Sequence, residues 1–513
     1  MKKTSAALFE LIRSLSMAEK KYFKIFSSLQ SGDKSYLKLY DAIERQRVYN
    51  EDDIRRTCRG QNFLLQLPVA KNRLYSYILR SLEIYHNNAD INLRRQISKA
   101  GILLEKGLTT QALRLLKTSK AIAYEHERWE LLMEILVIER TPYTTLDLLD
   151  ISHLNKEMEA VLKKLNNIND YRKIHLKVTN MLREAGTMRT KKEESLVEKL
   201  LQHPLLRNSK QASCAEAKAC YYEIWSFYFS FKRDFVRGYK TSKEQCDFIE
   251  THFHQLRDPE KRHLFALNMS VIFIGYLLPS YCNMYGEMQD LLQKIRTYPT
   301  ASLVLKATFW TSSYVNELNT LMLTSDFEKV FPAIKAIEEN KELLNQAPVV
   351  YKMNLYYNMS YMLFGVGSYD EALHWIKKIL DQPTDELRQD VQAGARILDL
   401  LIHYELHKDE EFLDSLKRSA LHFLSTRHRF FKVEEALMYC LHQIMGKSIS
   451  RKKRSAALQE LKTSLLKLMK NPMEKAALED FDFLSWVESK IQNKTFAEVV
   501  REKAKQSIGY HDH

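Results

Sequence analysis

Glycine and proline are scarce, at 13 and 10 residues in a chain of 513. These are roughly 2.5% and 2%, against ordinary levels near 7% and 5%. Hairpin turns and nucleotide-binding loops both consume glycine, so the shortage excludes an all-β sandwich or barrel and a glycine-rich doubly wound fold. Cysteine is sparse too. The six (Cys58, Cys214, Cys220, Cys246, Cys282 and Cys440) stand singly with no C-x-x-C pair. That excludes a disulfide framework and a cysteine zinc site, and it fits a reducing cytoplasm. Long apolar runs are missing as well. Residues 264–286 carry no charge, but the uninterrupted apolar core is only VIFIGYLL at 271–278. A membrane span needs about 20 mostly apolar residues, so the stretch reads as a buried helix pair and no membrane insertion is expected. The start, MKKTSAALFELIR, has a basic tip, yet Glu10 and Arg13 interrupt it too early for a secretory signal.

What is present is apolar and helical. Hydrophobic residues make 45% of the chain and aromatics 11%, which excludes a disordered polymer. Residues 1–90 read as several short helices. Ser16 and Glu19 form a capping box before a helix carrying Tyr22, Phe23, Ile25, Phe26 and Leu29. Gly32 ends that helix, Asp33 caps the next, and Asn50 caps EDDIRRTC with its acidic first turn. Pro68 opens a long helix with Leu74, Ile78, Leu82 and Tyr85 on one stripe.

Further on, a layout repeats. The segment YYNMSYMLFGVGSYDEALHWIKKILDQP, 356–383, has a helix ending at Gly365/Gly367, an aromatic at Tyr369, then D-E-A-L, apolar residues at helical spacing and a proline. It resembles a tetratricopeptide repeat. The resemblance implies two antiparallel helices packed through Ala372, with Tyr369 filling the gap between repeats. Pro383 falls one residue early, and Ser360 stands where glycine or alanine is usual. Weaker copies offer Ala100, Gly107 and Ala112; Trp225, Phe229, Phe235 and Gly238; and Leu318, Leu321 and Phe327. The turn aromatics Tyr285, Phe327 and Tyr369 are 42 residues apart, longer than the family's usual period of about 34. The stretches AEKKYF, HPLL and DFDFLSWVESKI are similar to parts of uncharacterised bacterial proteins of this plan, a likeness that brings no function with it.

The fold expected is therefore all-α: a TPR-like α-solenoid of antiparallel helix pairs with a period of about 42. A basic helical domain (1–90) precedes the repeats (91–446), and two helices (447–513), parted by Pro472, close the last apolar face.

Motifs for chemistry are thin. Gly446-Lys447-Ser448 lacks the opening glycine of a phosphate loop, since that position is Leu441. His403 and His407 lie four apart on one helix without an evident third ligand. His252, His254 and His263 read as surface histidines, and Glu193-Glu194 and Glu434-Glu435 as solvated faces. No hydrolase, zinc-protease or dinucleotide motif occurs. A non-enzymatic protein with no cofactor and no metal is expected.

Its partner is read as a protein or peptide, of no particular identity, held in the concave groove of the repeats. Carried over residue by residue, the resemblance places Asn354, Tyr357, Tyr361 and Phe364 in that groove, with Ser312, Val315, Asn319 and Met322 in the preceding unit. Phe227 faces inward by the same pattern, while Met359 and Leu363 pack inside the repeat. The alternative is a nucleic-acid-binding regulator. The net charge is +14, and residues 1–95 hold 18 Lys and Arg against 10 Asp and Glu. On that reading Lys71, Arg73 and Arg80 meet the phosphates and the repeats sense a signal or dimerise. Against it, about ten residues separate the two helices of the expected reading head, where a helix-turn-helix has a turn of three or four.

Overall fold

Apolar residues at helical spacing, with few breakers, fold as helices throughout. The computed structural model describes residues 4–28, 35–86, 88–146, 151–185, 198–382, 388–426, 432–445, 449–471, 474 and 481–508. Among these residues the regular structure is all helical, with no strand. The expected turn at Gly32 and Asp33, and Pro383, Gly446–Ser448 and Pro472, lie outside them. The chain divides into two compact units, Met1–Leu165 and Asn166–His513.

The first unit opens with α1 (Thr4–Ser14), α2 (Met17–Ser28), α3 (Ser35–Glu44), α4 (Glu51–Thr57) and α5 (Leu67–Tyr85). The capping box forms: the Ser16 amide donates to Glu19 Oε2 at 2.7 Å, and the Glu19 amide donates to Ser16 Oγ at 3.3 Å. Asn50 Oδ1 likewise accepts from the Asp52 and Asp53 amides at the start of α4. With their ends satisfied, the helices gather around Leu8, Ile12, Phe23, Ile43, Leu74 and Ile78. Three more follow: α6 (Ala89–Glu105), α7 (Thr109–Glu125) and α8 (Trp129–Leu146), each in contact with the others. Gly107, at φ +74°, makes the α6–α7 turn. Ala100 and Ala112 are fully buried.

Helix α9 spans Ser152–Ala185. In the second unit long helices alternate with their partners. The long ones are α10 (Ala215–Lys232), α12 (Pro259–Leu277), α14 (Leu303–Leu323), α17 (Val349–Val366) and α19 (Gln389–Glu405); α21 (Lys432–Ile444) takes the corresponding place with only 13 residues, against 17 in each of the partners Phe235–Thr251 and Glu410–Thr426. Their first residues are 44, 44, 46, 40 and 43 positions apart. Between them lie α11 (Phe235–Thr251), α13 (Tyr285–Arg296), α15 (Val330–Glu339), α16 (Lys341–Gln346), α18 (Tyr369–Leu380) and α20 (Glu410–Thr426). Helices α10, α12, α17 and α19 each pack on the partner that follows, α14 packs on α16, and α10, α12, α14 and α17 each pack on the next long helix. The last described elements are α22 (Arg451–Leu468), α23 (Phe483–Gln492) and α24 (Phe496–Ile508). The two closing helices expected from the sequence correspond to α22 and α23. Helix α24 is additional and lies on α17.

Small residues set the helix separations. Ala372 is fully buried, and Ser360, the departure from the repeat pattern, donates its hydroxyl to the Ala372 carbonyl at 3.0 Å. A polar residue is thus accommodated in the core with its bond made. Of the turn aromatics, Phe327 is buried and Tyr369 half-buried, whereas Tyr285 is exposed. Phe327 fits because Gly365 has no side chain: a Cβ there lies 2.3 Å from the Phe327 ring. Gly101, in the middle of α6, faces open space. The two sites predict opposite outcomes in denaturant melts. Gly365→Ala overpacks the Phe327 contact and costs about 1–3 kcal/mol. Gly101→Ala improves the helix and adds about 0.4–1 kcal/mol.

Candidate functional site

The long helices carry the residues expected to line a groove. Helix α17 places Met359 and Leu363 at zero exposure inside the repeat, as their spacing implies. On its other side the expectation fails for two positions. Tyr361 and Phe364 are 8% and 1% exposed, covered by the chain's own C-terminal segment. The Tyr361 ring lies 5.1 Å from Phe481, and Phe364 lies 5.4 Å from Phe481 and 5.6 Å from Phe496. The Asp482 amide donates to the Tyr361 hydroxyl at 3.4 Å, and burial pushes that hydroxyl's pKa upward. Arg501 holds the end of the segment by donating to the Ser325 carbonyl and pairing with Glu328. Trp486 Nε1 and Lys490 both bond Glu405, at 2.7 and 2.6 Å. Tyr361 and Phe364 are core residues here, because aromatics from the far end of the sequence fill the space beside them.

The other positions are mixed. Tyr357 is half-buried over Gly394 of α19, where a Cβ meets its ring at 3.1 Å. Asn354 is half-buried; Val315 and Met322 are partly buried against the core. Asn319 is exposed and accepts from Asn358 Nδ2 at 2.8 Å, while Asn358 also donates to the Val315 carbonyl. Truncating the covered aromatics tests their role. Tyr361→Ala and Phe496→Ala each cost about 3–5 kcal/mol in denaturant unfolding. The double variant falls short of the sum by about 0.5–3 kcal/mol, because the rings touch.

Of the expected groove residues, Phe227 lines an open cleft. This space of about 860 Å³ lies between α9, α10, α12, α14 and the first turn of α17. Phe227 sits between the His175 ring at 5.8 Å and Phe265 at 5.1 Å. Val304, Leu305, Phe309 and Tyr351 face it from α14 and α17. One end is ionic. Arg262 pairs with Glu216 at 2.6 Å and Glu223 at 2.5 Å, and Arg172 reaches Glu216 at 3.0 Å. The Arg257 amide also donates to Glu216, at 3.3 Å. Burial alone raises the Glu216 pKa, but Arg262, the Arg172 bond and the Arg257 amide outweigh it and keep the carboxyl below its ordinary range. Burial lowers the His175 pKa, with Glu223 opposing, so this imidazole is neutral at pH 7. Cys220, also on the wall, has its pKa pushed up by burial to about 12, which makes it a poor nucleophile. Charged and aromatic side chains thus stand side by side in the wall of the cleft.

Little in the sequence points to this cleft. Glu216 and Glu223 stand seven apart, two turns along one face of a helix otherwise rich in alanine and aromatics, and that spacing was the available signal. Arg262 lies in the stretch THFHQLRDPEKRH that reads as surface. In the same stretch His263 is a second correction. It is 5% exposed, sharing a hydrogen bond with the Tyr298 hydroxyl at 3.0 Å and lying 3.2 Å from Glu250.

The candidate nucleic-acid contacts divide as well. Arg73 and Arg80 are exposed on α5. Lys71 is 3% exposed, and its ammonium bonds the Tyr49 hydroxyl and Glu51, both at 2.5 Å. An amine buried against a carboxylate cannot reach a phosphate, so Lys71 leaves that set.

Among the described residues no group of three or more His, Cys, Asp or Glu is placed to hold a metal, and no helix is long and apolar enough to cross a membrane. His403 is buried with Asp399 at 3.5 Å. Burial raises the Asp399 pKa to about 6, despite Lys377 and Arg396, which lower it. The folded state therefore holds this proton more tightly than the unfolded chain, whose carboxyl titrates near 3.9. Stability from this group is present at low pH and is lost as pH rises through about 6. Asp399→Asn accordingly exceeds the wild type by about 1–3 kcal/mol at pH 8, an advantage that closes toward pH 4 in melts run across that range.

Compared with protein-family models, with curated proteins and with solved structures, the chain has no match in any of the three.

Proposed function

We propose that this chain is a non-enzymatic scaffold whose helix pairs form a TPR-like solenoid and bind a segment of another protein on the face of the first helices. The alternation of long helices with their partners, at intervals near the expected 42, supports the repeat reading. The observation that carries the binding reading is the cleft beside Phe227. It opens where α10, α12 and α14 come together, the helices that line the groove in the resembled family. Its volume falls in the range of pockets that enclose ligand groups. Six free cysteines, four of them buried, suit a cytoplasmic setting. The rival, nucleic-acid binding through residues 1–95, retains Arg73 and Arg80 but has lost Lys71 to Glu51.

The test is site-specific cross-linking in cells. A photoreactive residue at Thr308, in the cleft, should trap a defined protein, and one at exposed Tyr439 should not. The purified partner should bind wild type and lose at least about tenfold in affinity to Phe227→Ala, the loss expected on truncating an aromatic anchor, with little change in melting temperature. Trapping nucleic acid in place of protein sinks the reading.

A further inference from the structure

Resting on that reading, we infer that the cleft takes an extended peptide segment in which an acidic side chain stands beside a large apolar one. Burial sorts the charges around it. Glu216 and Glu223 have side-chain exposures of 8% and 12%, and both are engaged by Arg262, itself at 15%. One guanidinium leaves one of these two negative charges over, and Arg172, also bonded to Glu216, takes it up. The groups nearest solvent are Arg172, 46% exposed and held by Glu216, exposed Lys261 and half-buried Arg257, with exposed Asp258 among them. Arg172, Arg257, Lys261 and Arg262 line the cleft against Glu216, Glu223 and Asp258, so one net positive charge remains, and exposed Lys261 brings positive charge to the rim.

Glu216 organises that rim. Its carboxylate accepts from Arg172 and Arg262 and from the Arg257 main chain, so one buried acid fixes both the α9 cation and the corner that leads into α12. A cation held this way loses less freedom on meeting an anion, which favours binding. Next to the rim, Phe227 and Phe265 form an aromatic wall, and Val304, 55% exposed, leaves an apolar lip open to water. A ligand that satisfies both features carries a carboxylate and, one or two residues away, a bulky apolar group. None of Arg172, Arg257 and Lys261 belongs to the positions named by the repeat resemblance.

The probes are short fluorescein-labelled peptides, mixed with the full chain and followed by anisotropy. One peptide carries Glu beside Phe, a second replaces Glu with Lys, and a third replaces Phe with Ala. The first should bind best, at least about tenfold above either control, with an affinity that falls as salt rises. Lys261→Glu should abolish the preference for Glu over Lys. Lys261 is exposed, so this variant keeps its fold, whereas Arg172→Glu disturbs Glu216 and is used only with a melting control. Equal binding of the Glu and Lys peptides overturns the proposal, as does an unchanged preference in Lys261→Glu. If no peptide binds while the Thr308 cross-link still traps a protein through Phe227, this inference fails and the scaffold reading stands. If peptides and cross-linking both fail, the scaffold reading fails with it.

Discussion

Helix α17 is apolar around nearly its whole circumference, and a helix of that kind must be covered on every side. Met353, Leu355, Met359, Tyr361, Met362, Leu363 and Phe364 are all buried on it. No single partner helix can do that, because a helix–helix contact covers one stripe. So α17 touches α14, α15, α18, α19 and α24. The stacking of pairs supplies most of the cover. The C-terminal segment supplies the rest, with Phe481 and Phe496 over the side that the repeat pattern leaves open. Much of the second unit is arranged by this demand for apolar cover.

The same demand is met differently upstream. On α10 and α12 the aromatics Phe227 and Phe265 pack on one another at 5.1 Å and remain beside an open space. The buried ions next to them are expensive to desolvate, and an apolar replacement of the same shape is often as stable. Stability alone gives no reason for such ions to stand in the wall of a cleft. A closed face at Phe364 and an open one at Phe227 thus come from one kind of helix, differing in whether another part of the chain covers it.

This difference also marks how far the sequence could be read. Features set within a few residues were legible: the Ser16–Glu19 box, the Asn50 cap, Pro68 at the head of α5, and the buried Ala100, Ala112 and Ala372. Each depends on local geometry, which helical spacing encodes directly. Tyr361 and Phe364 were not legible as core. Their cover comes from Phe481 and Phe496, more than a hundred residues later, and nothing in the spacing of α17 specifies it. Helical periodicity identifies which side chains share a face. It does not say what that face meets.

Charge misled for a related reason. A net excess of positive charge suggests a basic surface, but pairing decides which charges reach it. Lys71 stands off the apolar stripe of α5 and reads as exposed, yet Glu51 lies beside it and the pair closes at 2.5 Å. Glu51, in the acidic first turn of α4, is the partner that withdraws the amine. Arg262 reverses the lesson. It belongs to a polar stretch, but Glu216 and Glu223 on α10 draw it inward, and Glu216 holds Arg172 as well. The useful quantity for this chain is the charge left at each surface after its pairs are made, not the total read from the sequence.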